Sequence, residues 1–243
     1  MREYVKVKKI SIIINCAAYN DVDKAEVEKE KCFLINAYAP QIIAEVAKEF
    51  DADFITYSSD FVFDGKKKVP YTEEDEPNPL STYACSKREG EVNVLKTYNK
   101  SFVIRTSWLF GVGNKNFNTQ VINWAKNNKV LKIVDDQISS PTYASDLAYF
   151  SWKLYKTKKY GLYHFSNDKE ASKYDQAKYV LSKIGWDGEI LPAKSTDFDL
   201  PAKRPAYSKL DSSKLEKTVC EKIPSWQSGI DRYLKEMEDM NEI

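Results

Sequence analysis

Residues 10–14 read Ile-Ser-Ile-Ile-Ile, a nearly unbroken β-branched run without polar alternation. No other segment limits the fold as strongly. A strand that faces water on one side alternates apolar with polar residues, whereas one covered by helices on both faces does not. The small residues Asn15, Cys16, Ala17 and Ala18 follow, and then an apolar-periodic stretch over about 32–50 that predicts a helix. Strand, small-residue turn and helix form the unit of doubly wound parallel sheets, including those that bind dinucleotides.

The alternation continues along the chain. Further strands are expected at 53–58, 101–106 and 130–134, with a last one at 161–166, and helices near 80–98, 115–128 and 142–155. Strands separated by helices imply right-handed crossovers and a parallel sheet. Beyond the last strand come two helical stretches set apart by Pro192, Pro201, Pro205 and Pro224. The fold class is therefore α/β. A partial doubly wound sheet is expected over 1–165 and a smaller α/β substrate-binding domain over 166–243, with segments near 107–128 contributing to it. The second domain is expected at the C-terminal edge of the sheet, where ligands bind.

Composition narrows the class of partner. Lys+Arg 37 against Asp+Glu 36 leaves no net charge to attract nucleic acid or a membrane surface, so small or neutral ligands are expected. Cys16, Cys32, Cys85 and Cys220 are widely spaced and form no C-x-x-C pair. That pattern argues against zinc and against a disulfide framework, and with no signal-peptide h-region or apolar stretch of membrane-spanning length it predicts a cytoplasmic protein with reduced thiols.

The candidate chemistry lies in STYACSKREGE, residues 81–91. Tyr83 and Lys87 are four apart on a predicted helix and project from one face. An ammonium beside a phenol is expected to lower the tyrosine pKa toward neutrality. Six Tyr-x-x-x-Lys pairs occur in the chain, so spacing alone selects nothing. Tyr83 stands out because Ser59 closes the predicted strand just before it, where an active-site hydroxyl belongs in this architecture. Ser59, Tyr83 and Lys87 then form a short-chain dehydrogenase triad.

With these residues in place, the chain resembles the extended short-chain dehydrogenase/reductases and, within them, the dTDP-4-dehydrorhamnose reductase family. The matching stretches run from INCAAYNDVDKAE (14–26) through ITYSSDFVFDG (55–65), STYACSKREGE, RTSWLFG (105–111), VDDQISSPT (134–142) and GLYHFSN (161–167) to RPAYSKLDSSK (204–214). The resemblance implies a partial Rossmann sheet and reduction of a C4 ketone on a nucleotide-linked 6-deoxyhexose. NADPH or NADH would be the reductant, with Mg2+ as an accompanying ion and a homodimer as the assembly.

It also implies roles. Tyr83 would protonate the C4 oxygen, Lys87 would hold the nicotinamide ribose and tune Tyr83, and Ser59, standing for the usual threonine, would bond the same oxygen. Asp60 would touch the sugar, Trp108 would bound it, and Arg204 would face the diphosphate. Ala17, Ala18 and Tyr19 would line the cofactor. No metal ligand is expected from the chain: Asp135 and Asp136 are strand neighbours that point to opposite faces. His164, the one histidine, is expected to be structural. The chain departs from the family at Ser139, where glycine is usual.

A second departure concerns phosphate. The first glycine is Gly65, and no G-x-G-x-x-G or G-x-x-G-x-x-G occurs; Gly111 and Gly113 are followed by Asn116 in the third position. In the family, strand 10–14 is the fourth of the sheet. A preceding βαβαβ half of roughly 60 residues, which carries the glycine turn, is therefore expected in a longer protein. Two other functions fit the sequence: a non-catalytic sugar-nucleotide-binding or regulatory subunit of the same fold, and a related nucleotide-sugar epimerase.

Overall fold

The structure, a computed structural model, describes residues 1–113 and 115–240. Helix α1 (Arg2–Lys8) leads into β1 (Ile12–Asn15). Then α2 (Lys29–Phe33), a π-helical turn (Leu34–Tyr38) and α3 (Ala39–Glu49) run on as one helical stretch to β2 (Asp53–Ser59). Next come α4 (Thr82–Thr97), β3 (Ser101–Thr106), β4 (Leu109–Phe110), α5 (Phe117–Asn127), β5 (Val130–Val134), β6 (Ile138–Ser139) and β7 (Thr142–Tyr143). The described chain ends with α6 (Ala144–Thr157), β8 (Gly161–His164), β9 (Ala171–Ser172), α7 (Lys173–Lys183), β10 (Glu189–Ala193), α8 (Ser213–Val219) and α9 (Trp226–Asp239).

The principal sheet is parallel, in the order β1-β2-β3-β8. Its central strands are buried over nearly their whole length because both faces are covered, and successive side chains go to opposite faces. Phe54 and Val103 pack with Ala44, Ala47, Val94 and Tyr98 from α3 and α4. Ile55, Phe102 and Ile104 pack the other way, with Leu147, Phe150 and Leu154 of α6 and with Leu215 and Ile223 from the tail. A separate apolar cluster joins α5, α7 and α9 around Val121, Val180, Ile230 and Tyr233.

Two strand expectations change. Residues 130–134 form a strand, but β5 pairs with β10 in a separate two-stranded sheet, and β8 takes the fourth place in the principal sheet. The reason lies in its one-sided character: Leu131 and Ile133 are buried while Val130 and Lys132 face solvent. Such a strand covers a helix pair but cannot sit between two helical layers. The first strand is also less enclosed than its composition suggests. It lies at the sheet edge, pairs only with β2 among the described residues, and leaves Ile14 47% exposed. Among the described residues, no helix is long and apolar enough to cross a membrane.

Candidate active site

The site forms at the C-terminal end of β2. Ser59 closes that strand, and its hydroxyl accepts from the Phe61 amide at 3.1 Å, starting a short turn over Asp60–Val62. Helix α4 starts after Ser81, whose hydroxyl accepts from the Ala84 amide at 3.3 Å. Glu26 reaches over from the DVDKAE segment and accepts from both the amide and the hydroxyl of Thr82, each at 2.8 Å. A carboxylate there satisfies orphan helix donors and complements the dipole. Tyr83 is thereby fixed in the first turn of α4, with its ring edge-on to Phe61 at 6.1 Å.

The triad does come together. The Ser59 hydroxyl lies near enough to the Tyr83 phenol to act on its electrostatics, and Lys87 Nζ donates to the Tyr57 carbonyl of β2 at 2.7 Å. The electrostatics differ from the sequence expectation. Burial pushes Tyr83 up to about 12; the Asp60 charge adds to this, and the Ser59 hydroxyl opposes it. Lys87 is itself pushed down to about 8 by burial, against the pull of Glu91, and exerts no lowering on Tyr83 here. The phenol is therefore neutral near pH 7 and has a proton to give.

Asp60 sits differently from expectation. Its side chain is 2% exposed and turns inward, accepting from Ser59 Oγ at 3.2 Å, Ser139 Oγ at 3.0 Å and Ser208 Oγ at 2.5 Å. Burial raises it to about 6 despite these donors. Those three serines tie the strand end, the 134–142 loop and the tail together, which gives the departure at Ser139 a use. The same segments meet again at Gly65. A Cβ there would come within 2.7 Å of the Ala206 amide nitrogen, and φ is +76°, so two motifs distant in sequence require glycine where they touch.

Arg204 is half-buried beside Asp23: Nη1 donates to Oδ1 at 3.1 Å and Nη2 to Oδ2 at 2.6 Å. This fork-to-fork pair joins the N-terminal segment to the tail and holds the Asp23 carboxyl below its usual range. Trp108 follows β3 with a left-handed backbone, φ 44°, unusual for a bulky residue and a mark of functional strain elsewhere. Its indole carries the Lys173 ammonium 3.6 Å from the ring centroid.

At the end of β1, Ala17 is exposed, and its amide donates to Asn15 Oδ1 at 3.2 Å; Ala18 is half-buried. Tyr19 is buried, with its backbone held in both directions by the Asn36 side chain, at 2.9 and 3.0 Å. Its ring packs with Ala25 and Cys32, so it shapes this corner from behind rather than lining a ligand surface. Asn36 also donates to Ser86 Oγ of α4 at 3.0 Å, and its carbonyl would lie 2.2 Å from a Cβ on Gly90. The π-helical turn thus brings the Asn36 backbone against the Tyr83 helix.

Sequence reasoning missed Glu26, Asn36, Lys173 and the pair Arg105–Glu91. Arg105 of β3 clamps Glu91 of α4, Nε to Oε1 and Nη2 to Oε2 both at 2.7 Å, with the side chains 1% and 0% exposed. Glu91 lies one turn beyond Lys87, and that i,i+4 spacing was the available signal. His164 is part of this support. Its Nδ1 donates to the Tyr71 carbonyl at 3.0 Å, Nε2 accepts from Arg105 Nη1 at 3.3 Å, and burial lowers it to about 3, so it is neutral.

These residues fit the nicotinamide end of a dinucleotide. Small side chains leave space at the end of β1, and a lysine ammonium stands at the end of the neighbouring strand with one of its three donors used. The sequence has no glycine turn for the pyrophosphate. For Mg2+ the donor set is missing: among the described residues, no group of three or more His, Cys, Asp or Glu could hold a metal.

A parallel sheet with serine, tyrosine and lysine gathered at its C-terminal edge defines the short-chain dehydrogenase/reductase class. The profile of the RmlD substrate binding domain family matches residues 1–239, and the chain belongs to that family. It is 37% identical to the dTDP-4-dehydrorhamnose reductase of Aggregatibacter actinomycetemcomitans, over 91% of this chain and 80% of that one. The crystal structure of a dTDP-4-dehydrorhamnose reductase from Clostridium acetobutylicum superimposes with a TM-score of 0.94 at 37% identity, covering 98% of this chain and 84% of that chain. A Bacillus anthracis dTDP-4-dehydrorhamnose reductase, crystallised in complex with NADP, gives a TM-score of 0.94 at 36% identity, covering 97% and 84%.

Proposed function

We propose that this protein reduces the C4 keto group of dTDP-4-dehydro-6-deoxy-L-mannose to give dTDP-L-rhamnose. The observation that carries the reading is Tyr83 and Lys87 on one turn of α4, with the Tyr83 phenol near the Ser59 hydroxyl that closes β2, in a chain of this family. The reduced nicotinamide supplies hydride; the NADP held by the Bacillus anthracis relative favours NADPH over NADH. Tyr83, neutral near pH 7, gives its proton to the C4 oxygen, and Ser59 donates a hydrogen bond to that oxygen. Lys87 binds the nicotinamide ribose with the donors that Tyr57 leaves free. Trp108 bounds the sugar. Asp60 acts from behind, holding Ser59 and the tail in register.

The direct test supplies the protein with the ketosugar nucleotide and NADPH or NADH. Loss of nicotinamide absorbance with formation of dTDP-L-rhamnose is expected; no turnover with either cofactor, where the Clostridium acetobutylicum relative turns over, overturns the reading. Lys87 sets the alkaline limb. Its ammonium is fully charged well below pH 8 and neutral well above it, so kcat/KM, which reports free-enzyme groups, should fall as pH rises through about 8. A profile flat from pH 7 to pH 10 contradicts the role of Lys87.

Arg204 is placed at the diphosphate by the same reading, with Asp23 presenting its guanidinium. Arg204→Ala should weaken binding of dTDP-L-rhamnose more than about tenfold in calorimetry, the value of a charge-assisted contact. Unchanged affinity would leave Arg204 as the partner of Asp23 and nothing more.

A further inference from the structure

Lys173 stands where elementary electrostatics disfavours a lysine. It is the first residue of α7, and a helix N-terminus favours negative charge. Its ammonium lies 3.6 Å from the Trp108 ring centroid and 4.4 Å from that of Phe117, and no hydrogen bond or ion pair to it is found among the described residues. An ammonium set over two rings, with no acceptor for it among the described residues, is a costly arrangement for a half-buried group. The one opposite charge set against it is Asp60, whose own oxygens are taken by Ser59, Ser139 and Ser208. Trp108 and Phe117, the side chains that cover it, do not titrate.

The geometry points to Lys173 as a further substrate-binding residue, which donates from Nζ to a hydroxyl oxygen of the hexose held against Trp108. The inference rests on the functional reading above and names a contact that reading did not contain. Asp60 acts on Lys173 as well as on Tyr83 and accepts from Ser59, so the ammonium over Trp108 and the proposed proton donor border the same carboxylate. A sugar whose C4 oxygen meets Tyr83 and whose ring meets Trp108 brings its remaining hydroxyls toward the uncommitted ammonium. Burial pushes Lys173 down to about 7, with Asp60 opposing, so its charge is sensitive to what approaches it.

Calorimetry with the 243-residue chain separates the outcomes, using dTDP-L-rhamnose and dTDP as probes at pH 6.5. Lys173→Met should weaken dTDP-L-rhamnose about tenfold, leave dTDP within about twofold, and be largely rescued by Lys173→Arg. Equal affinity of wild type and Lys173→Met for dTDP-L-rhamnose overturns the inference. Equal weakening of both probes overturns it too, since the contact would then be to the diphosphate. If the wild type binds neither probe, the functional reading fails and takes this one with it. Should Lys173→Met not fold, the wild type decides: its affinity for dTDP-L-rhamnose should drop about tenfold from pH 6 to pH 8 as the ammonium is lost, and a flat response overturns the inference.

Discussion

Tyr83→Phe lowers the rate of ketosugar reduction by about 10²–10⁴-fold, the usual worth of a positioned general acid. Sugar-nucleotide affinity and melting temperature stay close to wild type. The separation is expected because the ring, which packs edge-on to Phe61 and against the cluster of Tyr19, Ala25 and Cys32, survives the change, while the hydroxyl near Ser59 does not. Steady-state kinetics with calorimetry of the same variant checks it. Wild-type turnover in Tyr83→Phe, or loss of turnover only when one of the other five Tyr-x-x-x-Lys tyrosines is replaced, would show that the proton comes from elsewhere.

Arg105→Met destabilises the fold by about 3–5 kcal/mol, because it strips the buried Glu91 carboxylate of its two-pronged partner. Arg88 Nη1 still donates to Glu91 Oε2 at 3.1 Å, and this partly exposed partner brings the loss toward the lower end. For a domain of this size each kcal/mol moves the melting temperature by roughly 2–4 °C. Circular dichroism should therefore show a drop of at least about 6 °C. Arg105→Met with Glu91→Met should recover much of it, since two apolar side chains leave no stranded charge. A single variant that melts with wild type, or a double variant worse than either single, refutes the argument. The pair also bears on catalysis, because Glu91 fixes the turn of α4 that follows Lys87.

What could be read without coordinates followed from short-range rules. Strand-length runs rich in apolar residues at 53–58 and 101–106 became β2 and β3, and the helix predicted near 80–98 became α4, because a parallel strand and its crossover helix each advertise their burial period. Placement of Ser59, Tyr83 and Lys87 in one site followed from those elements. Residues 130–134 were legible as a strand, yet not as one outside the principal sheet, because pairing is chosen by what the rest of the chain leaves to be covered.

The particular contacts of the site were not legible for the same kind of reason. Asp60 is a neighbour of Ser59 in sequence, but only folding brings Ser139 and Ser208 to its oxygens and buries it. Asp23 and Arg204 look like separate surface charges until the tail crosses back. Lys87 and Tyr83 share a helix face, but the depth to which each is buried, and so the sign of each pKa shift, depends on layers contributed by distant segments. The sequence by itself determined the α/β class and the alternation of strands and helices, and it singled out Tyr83 as the candidate proton donor, because periodicity and motif spacing are properties of neighbours along the chain. Only the tertiary structure decided which strand closes the sheet, which carboxylates are consumed by protein donors and which ammonium, among the described residues, faces aromatic rings rather than an acceptor. Those depend on burial and on competition for hydrogen-bond partners, neither of which exists until the chain has folded.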